Sequence, residues 1–146
     1  MHIESVRVEE FGPIDRLAVS LDEGLNVISG PNETGKSTLM RAIWFALTRR
    51  STSQASEIRS IEPNGGGTPT VEVCLQVDGA RYALEKVFNG QRGRTSLEVD
   101  PPEAAMEQYA GDQADEVLRA ALGFSASSGR SGGPDPFGFW PAVWVG

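Results

Sequence analysis

Cysteine, histidine and lysine are almost missing from this chain of 146 residues, and each scarcity removes a class of chemistry. Cys74 is the single cysteine, so neither an internal disulfide nor a cysteine metal cluster can form, which suits the cytoplasm. His2 is the single histidine, and a histidine-based triad or zinc site is out of reach. Basic residues are few: 13 Lys and Arg stand against 20 Asp and Glu, giving a net charge of −7 and arguing against a broad nucleic-acid-binding surface. Arg41, Arg49 and Arg50 form a local basic patch, which a solvated helix end explains equally well. No basic-then-apolar leader opens the chain and no apolar run is long enough to span a membrane. No heptad run is present, so no coiled coil is expected within these residues. The length allows one domain with a modest core, and 39% hydrophobic with 23% charged residues is a globular composition.

What is present is a glycine loop. Gly30-Pro31-Asn32-Glu33-Thr34-Gly35-Lys36-Ser37-Thr38 fits the phosphate-binding pattern G-x-x-x-x-G-K-[ST] without a mismatch. Leu25 to Ser29 before it reads as a short buried strand, and Ser37 to Leu47 after it as a helix, the context the motif requires. Successive N–H groups in such a loop form a nest around phosphate oxygens. Gly30 and Gly35 permit the backbone angles and the close approach that a Cβ would obstruct. The opening helix turns its unpaired N–H groups and positive dipole end toward the phosphates. Lys36 supplies a mobile positive charge for β- and γ-phosphates. The Ser37 hydroxyl is placed to bind Mg²⁺, and the Thr38 hydroxyl and N–H can reach the α-phosphate. Only two lysines exist, Lys36 and Lys86, so a lysine at the motif position is not compositional background.

Around the loop, alternation and punctuation define the rest. His2 to Phe11 reads as a strand, Gly12-Pro13 breaks it, and Arg16 to Leu21 forms a second strand in an antiparallel hairpin with the first. Leu39, Ile43 and Leu47, with Met40 and Trp44 alongside, make a buried helical stripe. Residues 49–69 and 125–138 are rich in Ser, Gly and Pro and are expected as flexible loops. The first has room for one turn of helix and stands either as linker or as a wall near the nucleotide base. Thr70 to Val77 alternates with Val71, Val73, Leu75 and Val77 inward. Asp78-Gly79 signals a two-residue hairpin, Arg81 to Phe88 returns, and Thr95 to Val99 adds a third strand after the Asn89 to Gly93 turn. Pro101-Pro102 ends that meander. Glu103 to Leu122 has helical composition, with Val117, Leu118, Ala121 and Leu122 as its apolar face and Gly123 as its stop. Phe139 to Val145 reads as a buried strand needing cover on both faces.

Two look-alike motifs do not hold. Asp22-Glu23 resembles a metal-coordinating acidic strand end, yet runs directly into Gly24 and reads better as a turn. Ser131-Gly132-Gly133 resembles part of an ABC signature, but Pro134 and Pro136 follow where a helix should open. A stand-alone GTPase would carry Asn-Lys-x-Asp, and neither lysine follows an asparagine. A nucleotide kinase would need an arginine-rich lid, and none is seen.

Taken together, Val6 to Ile14, Gly24 to Leu39, the Val71 to Phe88 hairpin and Trp140-Pro141-Ala142-Val143-Trp144-Val145-Gly146 resemble the N-terminal lobe of an SMC-like, ABC-type ATPase head, of the SbcC, RecF, RecN and YhaN kind. The resemblance implies an α/β P-loop NTPase fold, with an antiparallel β-meander beside a mixed sheet that carries the P-loop helix. It implies ATP and Mg²⁺ as ligands, and hydrolysis between two paired heads coupled to DNA repair or chromosome maintenance. As partners it implies the C-terminal lobe of the same head, a second head joined through ATP, and DNA through the full-length protein. In the family a glutamine loop, a coiled coil, the signature motif, an acidic strand and a switch histidine follow. None is in residues 1–146, so the expectation is one lobe of a longer protein or a truncated frame, inactive by itself. A non-hydrolysing ATP-binding scaffold is the alternative.

Overall fold

Alternating β-branched residues build most of the molecule. The computed structural model describes residues 2–22, 36–63 and 66–123; the expected strand at 25–29, the loop residues up to Gly35 and the expected strand at 139–145 lie outside the described residues. Strands β1 (His2–Phe11), β2 (Ile14–Ser20), β3 (Thr70–Val77), β4 (Ala80–Val87), β5 (Arg94–Asp100) and β6 (Glu107–Ala110) join in one six-stranded sheet of order β2-β1-β3-β4-β5-β6. Every pairing is antiparallel. The N-terminal hairpin and the later meander are thus one sheet, joined where β1 pairs with β3.

Register places the apolar set on one face. Val6 lies opposite Val19 and Val73, and Val8 opposite Leu17 and Val71. Val8, Phe11, Val71, Val73 and Leu75 are wholly buried; each such side chain stabilises the fold by roughly 1.5–3 kcal/mol. Helix α1 (Lys36–Thr48) covers β1, β3 and β4 on that face, and helix α3 (Gly111–Leu122) covers β5 and β6. From α1, Leu39, Ala42, Ile43, Phe45, Ala46 and Leu47 are buried, and the Phe45 ring meets that of Phe11 at 6.1 Å between centroids. Met40 and Trp44 are half-buried and pack against the core.

The opposite face is polar. Arg7, Glu72, Glu85 and Ser96 stand in one row across four strands, with Arg7 and Glu72 at 3.6 Å. Partial burial and the hydrogen bond to Glu85 hold the Glu72 carboxyl above its ordinary value of 4.5. Arg16 pairs with Glu9 and Arg81 with Glu4 in the same exposed manner. With both signs interleaved, this face carries no basic stripe of the kind a nucleic acid requires.

Two expectations are corrected. Residues 103–122 are not one helix: Glu107–Ala110 extends as β6, with Tyr109 opposite Leu97, and the helix starts only at Gly111. Gly111 adopts φ +61°, a conformation that breaks the chain direction between strand and helix. The buried face of α3 is also turned: Ala114, Asp115 and Leu118 are buried, whereas Val117, Ala121 and Leu122 are only half-buried. The 49–69 segment does contain one helical turn, α2 (Ser56–Arg59). It nonetheless sends Ser51, Ile58 and Ile61 into the interior, because apolar residues spaced three apart can anchor a segment with no other regularity. Gly123 ends α3 at φ +76° in the left-handed cap its position suggested.

Candidate nucleotide site

The site is organised by the two ends of α1. Lys36 and Ser37 form its first residues, as the motif requires, while Gly30, Pro31, Asn32, Glu33, Thr34 and Gly35 lie outside the described residues. No acidic residue occupies the first turn, so the positive end of the dipole is not neutralised from within the helix. Thr38 is half-buried against the β1–β2 corner: a Cβ on Gly12 would sit 3.6 Å from Thr38 Cγ2.

That corner is tied to the loop that follows α2. The Gly12 N–H donates to the Ile61 carbonyl at 2.6 Å, and the Thr68 N–H donates to Glu10 Oε2 at 2.7 Å. Glu10 sits at φ +53°, uncommon for a residue with a Cβ. Gly67 packs directly on its carboxylate, where a Cβ would lie 2.8 Å from Oε2. Ile61, Gly67 and Thr68 are therefore fastened to the corner that lies beside Thr38 in the first turn of α1.

The other end of α1 rests on a buried ionic junction that sequence reasoning missed. Lys86, on β4, is 1% exposed. Its Nζ lies 2.7 Å from Asp115 Oδ1 on α3 and donates to the Arg49 carbonyl just past the end of α1. Burial draws the ammonium below the ordinary lysine value of 10.5, against the pull of Asp115 and with a push from Arg119. Around it, Thr95 Oγ1 donates to Ser51 Oγ at 2.9 Å. Gly93 approaches the Ser51 carbonyl so closely that a Cβ would stand 2.0 Å from it. A signal for Lys86 did exist: it is in phase with the inward residue Leu84 on its strand. A cleft of about 370 Å³ opens beside the junction, but its rim mixes Arg50 and Arg94 with Glu85 and Asp112 and favours neither sign of ligand. Among the described residues no helix is long and apolar enough to cross a membrane, and no His, Cys, Asp and Glu cluster could hold a metal ion.

A helix opening on Lys-Ser-Thr lies on a six-stranded antiparallel sheet. The AAA domain family profile matches residues 5–121, and the chain belongs to that family. A solved structure from work on ATP-driven dimerization and DNA-stimulated activation of SMC ATPases superposes with a TM-score of 0.60. It covers 84% of this chain and 80% of that one at 19% identity. The fold is that of the N-terminal lobe of an SMC-like, ABC-type head. Over 86 residues the chain is 33% identical to the DNA double-strand break repair Rad50 ATPase of Sulfurisphaera tokodaii, covering 59% of this chain and 10% of that protein. It is 36% identical over 99 residues to the DNA replication and repair protein RecF of Halalkalibacterium halodurans, covering 68% and 23%. An uncharacterized protein of Mycobacterium tuberculosis, Rv1278, matches at 31% over 103 residues, covering 69% and 11%. The chain thus spans between about a tenth and a quarter of the length of these relatives.

Proposed function

We propose that this chain is the Mg-ATP-binding lobe of an SMC-like head whose full-length protein couples ATP binding and hydrolysis to DNA repair or chromosome maintenance. The observation that carries the reading is the complete phosphate-loop pattern, Gly30 to Thr38, running into a helix whose first turn is free of acidic side chains. Family membership and the relatives' names support it. Lys36 would neutralise the β- and γ-phosphates, and Ser37 would hold Mg²⁺ with its hydroxyl. The ion held by Ser37 would supply positive charge to offset that of the phosphates. Thr38 and the N–H groups of Gly30 and of Asn32 to Gly35 would orient the phosphates. Ile61, Gly67 and Thr68, fastened to the β1–β2 corner, would border the nucleoside side.

The C-terminal lobe of the same head and a second head would supply what these residues do not carry: the acidic strand and the signature serine. Lys36→Ala should abolish ATP affinity with the fold retained, since one charge at an otherwise intact loop is removed. Calorimetry in Mg²⁺ alongside circular dichroism reads both, and equal affinity of variant and parent would sink the proposal.

A further inference from the structure

We infer that the buried Lys86–Asp115 pair is a conformational link, carrying the state of the phosphate-binding end of α1 to α3. The inference rests on the reading of the loop as a nucleotide site. Stability does not account for the pair. Taking two ions out of water is costly, and apolar residues of similar volume often serve as well. What an ion pair adds is geometry. The Lys86 ammonium has three protons to place and no acceptor of its own. It gives one to Asp115 and one to the Arg49 carbonyl, and so requires β4, the exit of α1 and α3 to hold one mutual arrangement.

The electrostatics on both sides favour that arrangement. The Arg49 carbonyl lies just past the C-terminal end of α1, the negative end of its dipole, where a buried ammonium is favoured. Asp115, on the second turn of α3, is itself buried, and the ammonium is its counter-charge. The neighbouring backbone is fixed as well: the Arg49 N–H bonds to the Phe45 carbonyl, Ser51 is held by Thr95, and Gly93 lies against the Ser51 carbonyl. α1 is 13 residues long, a rod of roughly 20 Å with the phosphate loop at one end and this junction at the other. Ordering the first end restricts the second, and Lys86 passes the restriction across to α3.

Hydrogen exchange on the 146-residue chain tests this, with and without saturating Mg-ATP. In the parent, amides of α3 (Gly111–Leu122) should exchange roughly 5-fold or more slowly when ATP is bound, together with those of α1. In the double variant Lys86→Met/Asp115→Leu, ATP should still bind by calorimetry and protect α1, while the slowing in α3 is lost. Lys86→Arg, which keeps a buried donor, should retain part of it. Failure of the parent to bind ATP would overturn the nucleotide reading and the link with it. Binding without slower exchange in α3 would overturn the link alone, whatever the variants do. A double variant that binds ATP and still slows α3 would show that the coupling runs elsewhere.

Discussion

At the residue scale, single atoms decide more than residue types. Gly93 has φ −58° and ψ 148°, angles open to any residue, so nothing in its conformation calls for glycine. The requirement is steric: a Cβ would meet the Ser51 carbonyl oxygen at 2.0 Å, and backbone cannot step aside as a flexible side chain can. Gly93→Ala should therefore destabilise by about 2 kcal/mol or more, read as a lower urea midpoint at unchanged slope. Gly90→Ala serves as the comparison, since its Cβ would meet nothing within 4 Å and its cost is only that of φ +50°. A loss at position 93 no larger than at position 90 would mean that the turn relaxes away from Ser51. The Asn89 to Gly93 stretch was legible as a turn, but which of its glycines is tightly fitted was not. The partner of Gly93 lies some forty residues away in sequence, beyond the reach of any local pattern.

At the element scale, the strands were the most legible part. Val71, Val73 and Leu75 alternate with Glu72, Cys74 and Gln76, and that period of two fixes both the strand and its inward face. Asp78-Gly79 closes the β3–β4 hairpin with φ +50° and +81°, the left-handed pair a two-residue turn of matching twist demands. Gly79→Ala should cost about 1 kcal/mol through backbone conformation alone, because its Cβ would meet nothing nearer than Pro102 Cγ at 3.9 Å. Differential scanning calorimetry would show the lower Tm, and an unchanged Tm would mean that the turn type tolerates a side chain. Region 103–122 shows the converse. Its composition favours helix throughout, yet Glu107–Ala110 is drawn out as an edge strand because β5 offers it unpaired backbone groups. Propensity there is outweighed by pairing, which a composition window cannot register.

At the scale of the whole molecule, the sheet gives α1 a fixed seat, with the phosphate motif at one end and the ionic junction at the other. Under the proposed function, hydrolysis would need more than binding: a carboxylate to position water and an opposing signature serine, each contributing a large factor in rate. Neither motif stands in residues 1–146. This chain alone should bind Mg-ATP yet show negligible turnover at saturation, measured as phosphate release over hours. Turnover on the order of ~1 s⁻¹, abolished by Lys36→Ala, would mean that a complete active site is already present.

Local residue patterns were enough for the phosphate motif, the order of strands β1 to β5, the hairpin at Asp78-Gly79 and the left-handed stop at Gly123. All are local, set by periodicities of two or four residues or by the backbone freedom of one position. Only the assembled fold shows that hairpin and meander form a single sheet, that residues 107–110 join it, and that Ile61, Gly67 and Thr68 are fastened to the β1–β2 corner. It also shows that Lys86, by itself an ordinary charged strand residue, is buried against Asp115 and the exit of α1. Those features depend on which surfaces meet after folding, and burial turns a solvated charge into a partner-dependent one only once its neighbours are in place.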